Sequence, residues 1–329
     1  MSALDYDVLS MDLEVEADRI AMRLREVTAQ VLHRRGLVVA VSGGIDSSCC
    51  AALAVRALGP ARVFALLMPE RDSDPDSTER ARLLVRHLGI ASETIDIAPT
   101  LEAIGCYEAR DAAVNRALPQ YGPGWCFKIV IDGGLEGRIN RFLLVASDPA
   151  GGLHERPLGR AEYLQIVAAT NFKQRIRKTL EYYHADRLNH AVVGTPNRLE
   201  YDQGFFVKNG DGAADVKPIA HLYKTQVYAM ARHLGLPRRV CDAIPTTDTY
   251  SLAQGQDEFY FALPHRQMDL ALWALENGRT PAELAGALGV DRARAVAIYA
   301  DIANKRRTTR YLHEPPVLIG DLATSGTLQ

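Results

Sequence analysis

Ser42-Gly43-Gly44-Ile45-Asp46-Ser47-Ser48 follows the apolar run Leu37-Val38-Val39-Ala40-Val41 and precedes Cys49-Cys50-Ala51-Ala52-Leu53-Ala54-Val55. That order reads as strand, glycine turn, helix. Two glycines admit close approach of a ligand to the backbone, and the hydroxyls and free N–H groups of a new helix start favour an anion. The loop lacks G-x-x-x-x-G-K-[ST], and with it the lysine that reaches the β- and γ-phosphates in a Walker A site. It carries a carboxylate, Asp46, instead. Phosphates repel a carboxylate unless a divalent cation lies between them, so the chemistry expected here is that of Mg²⁺-pyrophosphate.

Such a loop needs a frame, and the flanking sequence supplies one. Apolar residues at helical spacing in residues 13–32 (Ile20, Met22, Leu24, Val27, Val31, Leu32) predict an amphipathic helix leading into the first strand. Val63-Phe64-Ala65-Leu66-Leu67-Met68 reads as a buried parallel strand. A helix is expected over 76–88, starting near Asp76 or Ser77, and a further strand over 93–97. Alternation of this kind predicts an α/β fold, a doubly wound parallel sheet with its ligands beyond the carboxyl ends of the strands.

Residues 105–160 break the pattern, being rich in glycine and proline with candidate strands at 127–131 and 142–146; they read as an inserted, hairpin-bearing segment. A helix over 171–183, a strand at 190–194 and a helix over 223–234 extend the sheet to about residue 240. The organisation expected is therefore an α/β domain over 1–260, interrupted by the 105–160 insertion, and a small helical region over 261–329 that completes the substrate site. Thr280 and Asp291 are expected to cap successive helices there, with Pro281 in the first turn. The pair reads as a short helical hairpin more readily than as a DNA-binding helix-turn-helix, whose recognition helix offers more basic and amide side chains.

Composition narrows the function. A net charge of −2 argues against a protein whose main business is a nucleic-acid backbone, and 47% hydrophobic residues in 329 suffice for a full core. Five cysteines without C-x-x-C spacing suit a reducing, cytoplasmic setting. No basic-then-apolar leader and no membrane-length apolar run is present, so a soluble protein is expected.

A second group of motifs makes the first specific. Gly194-Thr195-Pro196-Asn197-Arg198-Leu199-Glu200 follows a strand. Downstream stand Gly204-Phe205-Phe206-Val207-Lys208, Gly210-Asp211-Gly212-Ala213-Ala214-Asp215 and Tyr223-Lys224-Thr225-Gln226; upstream stands Asn171-Phe172-Lys173-Gln174-Arg175. With Pro245-Thr246 and Lys305-Arg306-Arg307, these resemble, in order, the blocks of the NAD synthetases, and Ser42 to Ser48 resembles the SGGxDS loop of the N-type ATP pyrophosphatases to which that family belongs. The residue before Lys305 is Asn304, where the family has histidine.

The resemblance implies an adenine nucleotide alpha-hydrolase-like fold, a homodimer, and an ATP-dependent amide ligase. A carboxylate, foremost that of nicotinic acid adenine dinucleotide, would be adenylated with loss of pyrophosphate, and ammonia would then displace AMP. It implies ATP contacts at Ser42, Gly43, Gly44, Asp46, Ser47, Ser48, Met68, Thr195, Lys224 and Thr246. Mg²⁺ would be held by Asp46 and Glu200, with Asp46 and Lys224 central to catalysis. Substrate contacts are implied at Arg175, Lys208, Asp215 and Lys305. Lys224, at a helix start, is placed to neutralise charge as the α–β bond breaks. Other readings stay open: a related ligase for a different carboxylate or amine, a tRNA-thiolating ATP pyrophosphatase using Cys106 and Cys126, or a non-catalytic ATP sensor.

Overall fold

The structure, a computed structural model, describes residues 4–132, 141–243, 250–252, 255, 260–261 and 263–320. Helix α1 (Leu13–Glu26) begins where the Asp12 carboxylate accepts the Val15 N–H at 3.0 Å, and it buries Ala17, Ile20, Ala21 and Leu24 on one face. Strand β1 (Gly36–Ala40) then runs into α2 (Ile45–Leu58), β2 (Val63–Leu67) into α3 (Pro75–Leu88), and β3 (Ala91–Thr94) into α4 (Ala98–Ala103). After α5 (Cys106–Ala117) come β4 (Cys126–Asp132), β5 (Arg141–Ser147) and β6 (Leu153–Pro157), then the long α6 (Arg160–Leu188), β7 (His190–Val193) and α7 (Arg198–Gln203). Helices α8 (Lys224–His233), α9 (Arg238–Cys241), α10 (His265–Glu276), α11 (Pro281–Leu288) and α12 (Arg292–His313) complete the molecule.

The main sheet is parallel, in the order β3-β2-β1-β7. Alternate residues of its strands serve two cores. Leu37, Val39, Ala65, Leu67 and Val193 pack under α1, α2 and α8 with Leu53, Val227 and Met230; Val38, Leu66 and Val192 pack on the other face with Leu101, Tyr107 and Ala185. Helices therefore cover both faces, as a doubly wound sheet requires. Strand β1 pairs with β2 on one side and β7 on the other, so the chain leaves their ends in diverging directions and opens a crevice at the carboxyl edge.

Several boundaries depart from expectation. The cap of α3 is Asp74, which accepts the Asp76 N–H at 3.0 Å with Pro75 at the first helical position. Strand β3 starts two residues and ends three residues earlier than predicted, although Ile95 and Ile97 still donate to the Leu67 and Pro69 carbonyls. The parallel sheet ends at Val193, with one further bridge to Val216, rather than continuing to residue 240. The reason is that α8 turns its apolar face, Val227, Met230 and Ala231, onto the existing core and is followed by no strand-like apolar run. Within 105–160 the first part is helix α5, and the rest is a three-stranded antiparallel sheet, β4-β5-β6. Its third strand, polar and exposed on an edge, carries no apolar alternation by which to be read.

The last three helices share a core with the chain's start. Leu4 and Leu9 are buried together with Met268, Leu272, Leu284, Ile298 and Ile302. Thr280 and Asp291 cap α11 and α12 as expected, through the N–H groups of Glu283 and Arg294. Gly289, at φ 67°, turns the chain between them. Among the described residues no helix is long and apolar enough to cross a membrane.

Candidate active site

The glycine loop is shaped from within and from behind. Gly43 sits at φ 86°, and a Cβ there would lie 2.1 Å from the Ser77 carbonyl oxygen of α3. Gly44, in an extended conformation, precedes the first turn of α2. The Ser47 and Ser48 hydroxyls both donate to the Gly44 carbonyl, at 3.1 and 2.8 Å, while Ser42 Oγ accepts the Gly44 N–H at 3.2 Å. Arg80 of α3 donates to the Gly43 carbonyl at 3.3 Å. Ser48 is fully buried, so its hydroxyl is spent on holding the turn and does not face a ligand.

Beyond the loop lies the charged centre. The ammonium of Lys224, first residue of α8, is buried and ion-paired to Asp46 Oδ2, with Glu200 Oε1 at 3.9 Å. Burial acts to lower the Lys224 pKa, and the Asp46 and Glu200 carboxylates outweigh it, so the net effect is upward and the lysine stays charged. Asn197 ties the two carboxylates together. Its amide donates to Asp46 Oδ1 at 2.9 Å, its carbonyl oxygen caps α7 through the Leu199 and Glu200 N–H groups, and its own N–H donates to Glu200 Oε2 at 3.2 Å. Lys224 is held in turn by Asp269 of α10, which accepts the Lys224 N–H at 3.1 Å and the Thr225 N–H and hydroxyl at 2.7 and 2.6 Å. Burial pushes the Asp269 carboxyl up to about 6.

Asp46, Glu200 and Lys224 floor a cavity of 660 Å³ at the β1/β7 crevice. Of the predicted residues, Ser42, Gly44, Asp46, Ser47, Met68, Thr195, Glu200, Lys224, Arg175, Lys208 and Lys305 line it. Gly43 and Ser48 lie behind its surface, and Thr246 lies outside the described residues. Asp215 is not brought to the cavity: it is exposed beside β7, where its carboxylate accepts the Val192 N–H at 2.7 Å and faces the Tyr182 hydroxyl at 3.4 Å.

The three basic residues assigned to substrate differ in their surroundings. Arg175 is exposed on α6 and donates to the Lys208 carbonyl at 3.4 Å. The Lys208 ammonium donates to the Tyr311 and Glu314 carbonyls at the end of α12, at 2.7 and 3.1 Å. Lys305 is buried, pairs with Asp301 at 2.6 Å and lies 4.9 Å from the centre of the Tyr260 ring; burial lowers its pKa against that pairing. A second concavity, 480 Å³ and lined by Arg198, Tyr201, Asp202, His221 and His313, holds none of the predicted residues.

Sequence reasoning gave no role to Asn197, Asp269 or Arg80. Asn197 carried a signal, since an Asn three residues before Glu at a helix start is a capping pattern. The other two act across long stretches of chain and carried none. A buried group of charges was also missed: Lys173, on the cavity wall, pairs with Glu70 at 2.9 Å and Asp72 at 2.8 Å, and Arg110 pairs with Asp72. All five cysteines are free, and Cys106 is buried with its thiol pushed up by burial.

Fold and site together define an α/β nucleotide-loop protein of the adenine nucleotide alpha-hydrolase-like class, with the glycine loop at the switch point of the sheet. A family model described as NAD synthase matches residues 17–118 and 155–316, and the chain belongs to that family. It is 56% identical over 314 residues to the NH(3)-dependent NAD(+) synthetase of Rhizobium meliloti (strain 1021), covering 95% of this chain and 94% of that one. It is 51% identical over 321 residues to the protein of the same name from Rhizobium rhizogenes (strain K84 / ATCC BAA-868), covering 97% and 96%. Among solved structures, NMN synthetase from Francisella tularensis superposes with a TM-score of 0.64 at 22% identity, over 94% of this chain and 99% of that one, a likeness of fold.

Proposed function

We propose that the protein is an ammonia-dependent NAD synthetase that adenylates the carboxylate of nicotinic acid adenine dinucleotide with ATP and then aminates it to NAD. The observation that carries this reading is the Asp46–Lys224–Glu200 cluster, its lysine buried and its carboxylates partly so, at the floor of a cavity whose wall also presents Arg175, Lys208 and Lys305. Two carboxylates against one ammonium leave a single negative charge, which fits a divalent cation arriving with phosphates. Asp46 and Glu200 would hold Mg²⁺, which supplies charge neutralisation to the departing pyrophosphate.

The chain's own residues do the rest. Lys224, kept protonated by its two carboxylates, offers fixed positive charge where the α–β bond breaks. Ser42, Gly44 and Ser47 shape the seat of the phosphates, and Thr195 and Met68 border the nucleotide. Arg175 and Lys208 suit a substrate pyrophosphate, with Lys208 exchanging its helix-end carbonyls for it. The substrate carboxylate attacks the α-phosphorus, pyrophosphate departs, and ammonia then displaces AMP from the acyl-adenylate. Positioning and neutralisation suffice, with no protein nucleophile.

The reading includes a homodimer in the cytoplasm. Leu164, Ala168, Phe172, Arg175, Thr179 and Tyr183 form one exposed row along α6, with Leu164 52% and Tyr183 61% accessible. A second copy of this chain is the occupant proposed for that row, since Arg175 within it also lines the cavity. The deciding experiment incubates the protein with ATP, Mg²⁺, ammonium and nicotinic acid adenine dinucleotide and identifies the product by mass. NAD, formed one for one with pyrophosphate, is expected; pyrophosphate without NAD would overturn the substrate assignment.

A further inference from the structure

The β4-β5-β6 sheet lies largely between the two segments that the family model matches, and one of its faces changes role along its length. In the β4/β5 register Phe127 opposes Ala146, Ile129 opposes Leu144 and Ile131 opposes Phe142. All six side chains share one face, because side chains alternate along a strand and directly opposed residues point the same way. The first two rows are buried against α5 and α6, through Ala113, Val114, Leu118 and Ile166. The third row is half-buried and lines the cavity, where the Phe142 ring stacks on Tyr163 of α6 at 3.9 Å and 12°. The base of the sheet is clamped: Phe127 N–H donates to Ser251 Oγ at 3.0 Å, and its carbonyl accepts the Leu252 N–H at 3.0 Å.

We propose that the Ile131–Phe142 row, backed by Tyr163, is a specificity wall that holds the carboxylate substrate and not ATP. Position along α6 sets the wall apart from the end of β2. Arg177 of α6 donates to the Met68 carbonyl at the end of β2, which marks the nucleotide level. Tyr163 stands on the same helix toward its start, about 21 Å away at 1.5 Å per residue. The wall therefore stands at the N-terminal end of the stretch of α6 that lines the cavity. Chemistry agrees with position: Ile131, Phe142 and Tyr163 together form an apolar surface without a charged group, which favours a flat ring system over phosphate.

The proposal rests on the NAD synthetase reading, and its test separates the two. In the full-length protein, Phe142→Ala is expected to raise KM for nicotinic acid adenine dinucleotide about tenfold, the scale of one lost apolar contact in a substrate pocket. KM for ATP should move by less than about twofold and kcat little, because the contact is present before and during reaction. Ile131→Ala, a smaller change in the same row, should give a smaller shift of the same kind, while Val130→Ala, on the opposite face, should give none. An unchanged dinucleotide KM in both row variants, with melting temperature intact, overturns the wall; so does an equal rise in both KM values. A wild-type enzyme that makes no NAD overturns the synthetase reading instead, and the wall is then judged by the same KM ratio on whichever carboxylate supports pyrophosphate release.

Discussion

At the scale of single residues, the site works by balancing a few closely spaced charges. Asp46→Asn and Glu200→Gln each keep size and remove charge, so each should lower turnover by at least ~10²-fold with the fold preserved, the usual scale for one strong electrostatic contact in the transition state. Pyrophosphate release alongside circular dichroism checks this, and near-normal turnover in both variants would end the metal assignment. The two loop glycines should behave differently. Gly43→Ala meets the Ser77 carbonyl and a left-handed backbone, so the melting temperature should fall sharply. Gly44→Ala meets only Ser42 Oγ, at 3.3 Å, and should melt close to wild type. Asp46 was legible because its whole context, strand, glycines and helix, lies within a few residues. Glu200 and Lys224 became legible only in company with it. Asp269 was not legible, since an aspartate 45 positions from its partner Lys224 leaves no mark on the local pattern.

Among elements, the contact between α10 and α8 has the clearest chemical consequence. Asp269 accepts three hydrogen bonds from the first turn of α8, and Asp269→Asn turns one acceptor into a donor facing them. A loss of about 1–3 kcal/mol is expected, from a buried group left unsatisfied. The pH dependence has a definite sign. A carboxyl raised from 3.8 to about 6 binds its proton more tightly in the folded state, so its contribution to stability grows as pH falls from about 6 toward 4. The deficit of the Asn variant against wild type should therefore widen over that window. Urea titrations at pH 7, 5.5 and 4.5 measure it, and a deficit that narrows on acidification would contradict the assignment. Strands β1, β2 and β7 were readable because burial on both faces leaves continuous apolar runs. Strand β6 and the first eleven residues of α6 were not, because a polar edge strand and the start of a helix beside glycines look like loop.

For the molecule as a whole, the exposed row on α6 predicts assembly. Leu164→Glu combined with Phe172→Glu should convert a dimer to a monomer in sedimentation equilibrium and reduce synthesis of NAD; a monomeric wild type would refute the pairing. The joint core of Leu4 and Leu9 with α10, α11 and α12 bears on something else, the order in which the molecule can be made. Its two halves are separated by nearly the entire chain, and contacts so distant in sequence form late and slowly. On a ribosome the β1 loop and the parallel sheet can settle while the final helices are still being synthesised. Lys305 is carried to the cavity by α12, with Thr308, Thr309, Tyr311 and Leu312 after it. The nucleotide end should thus mature first and the substrate end last. Removing residues 1–10 should then raise hydrogen exchange selectively in α10 and α12 while β1 and β2 stay protected.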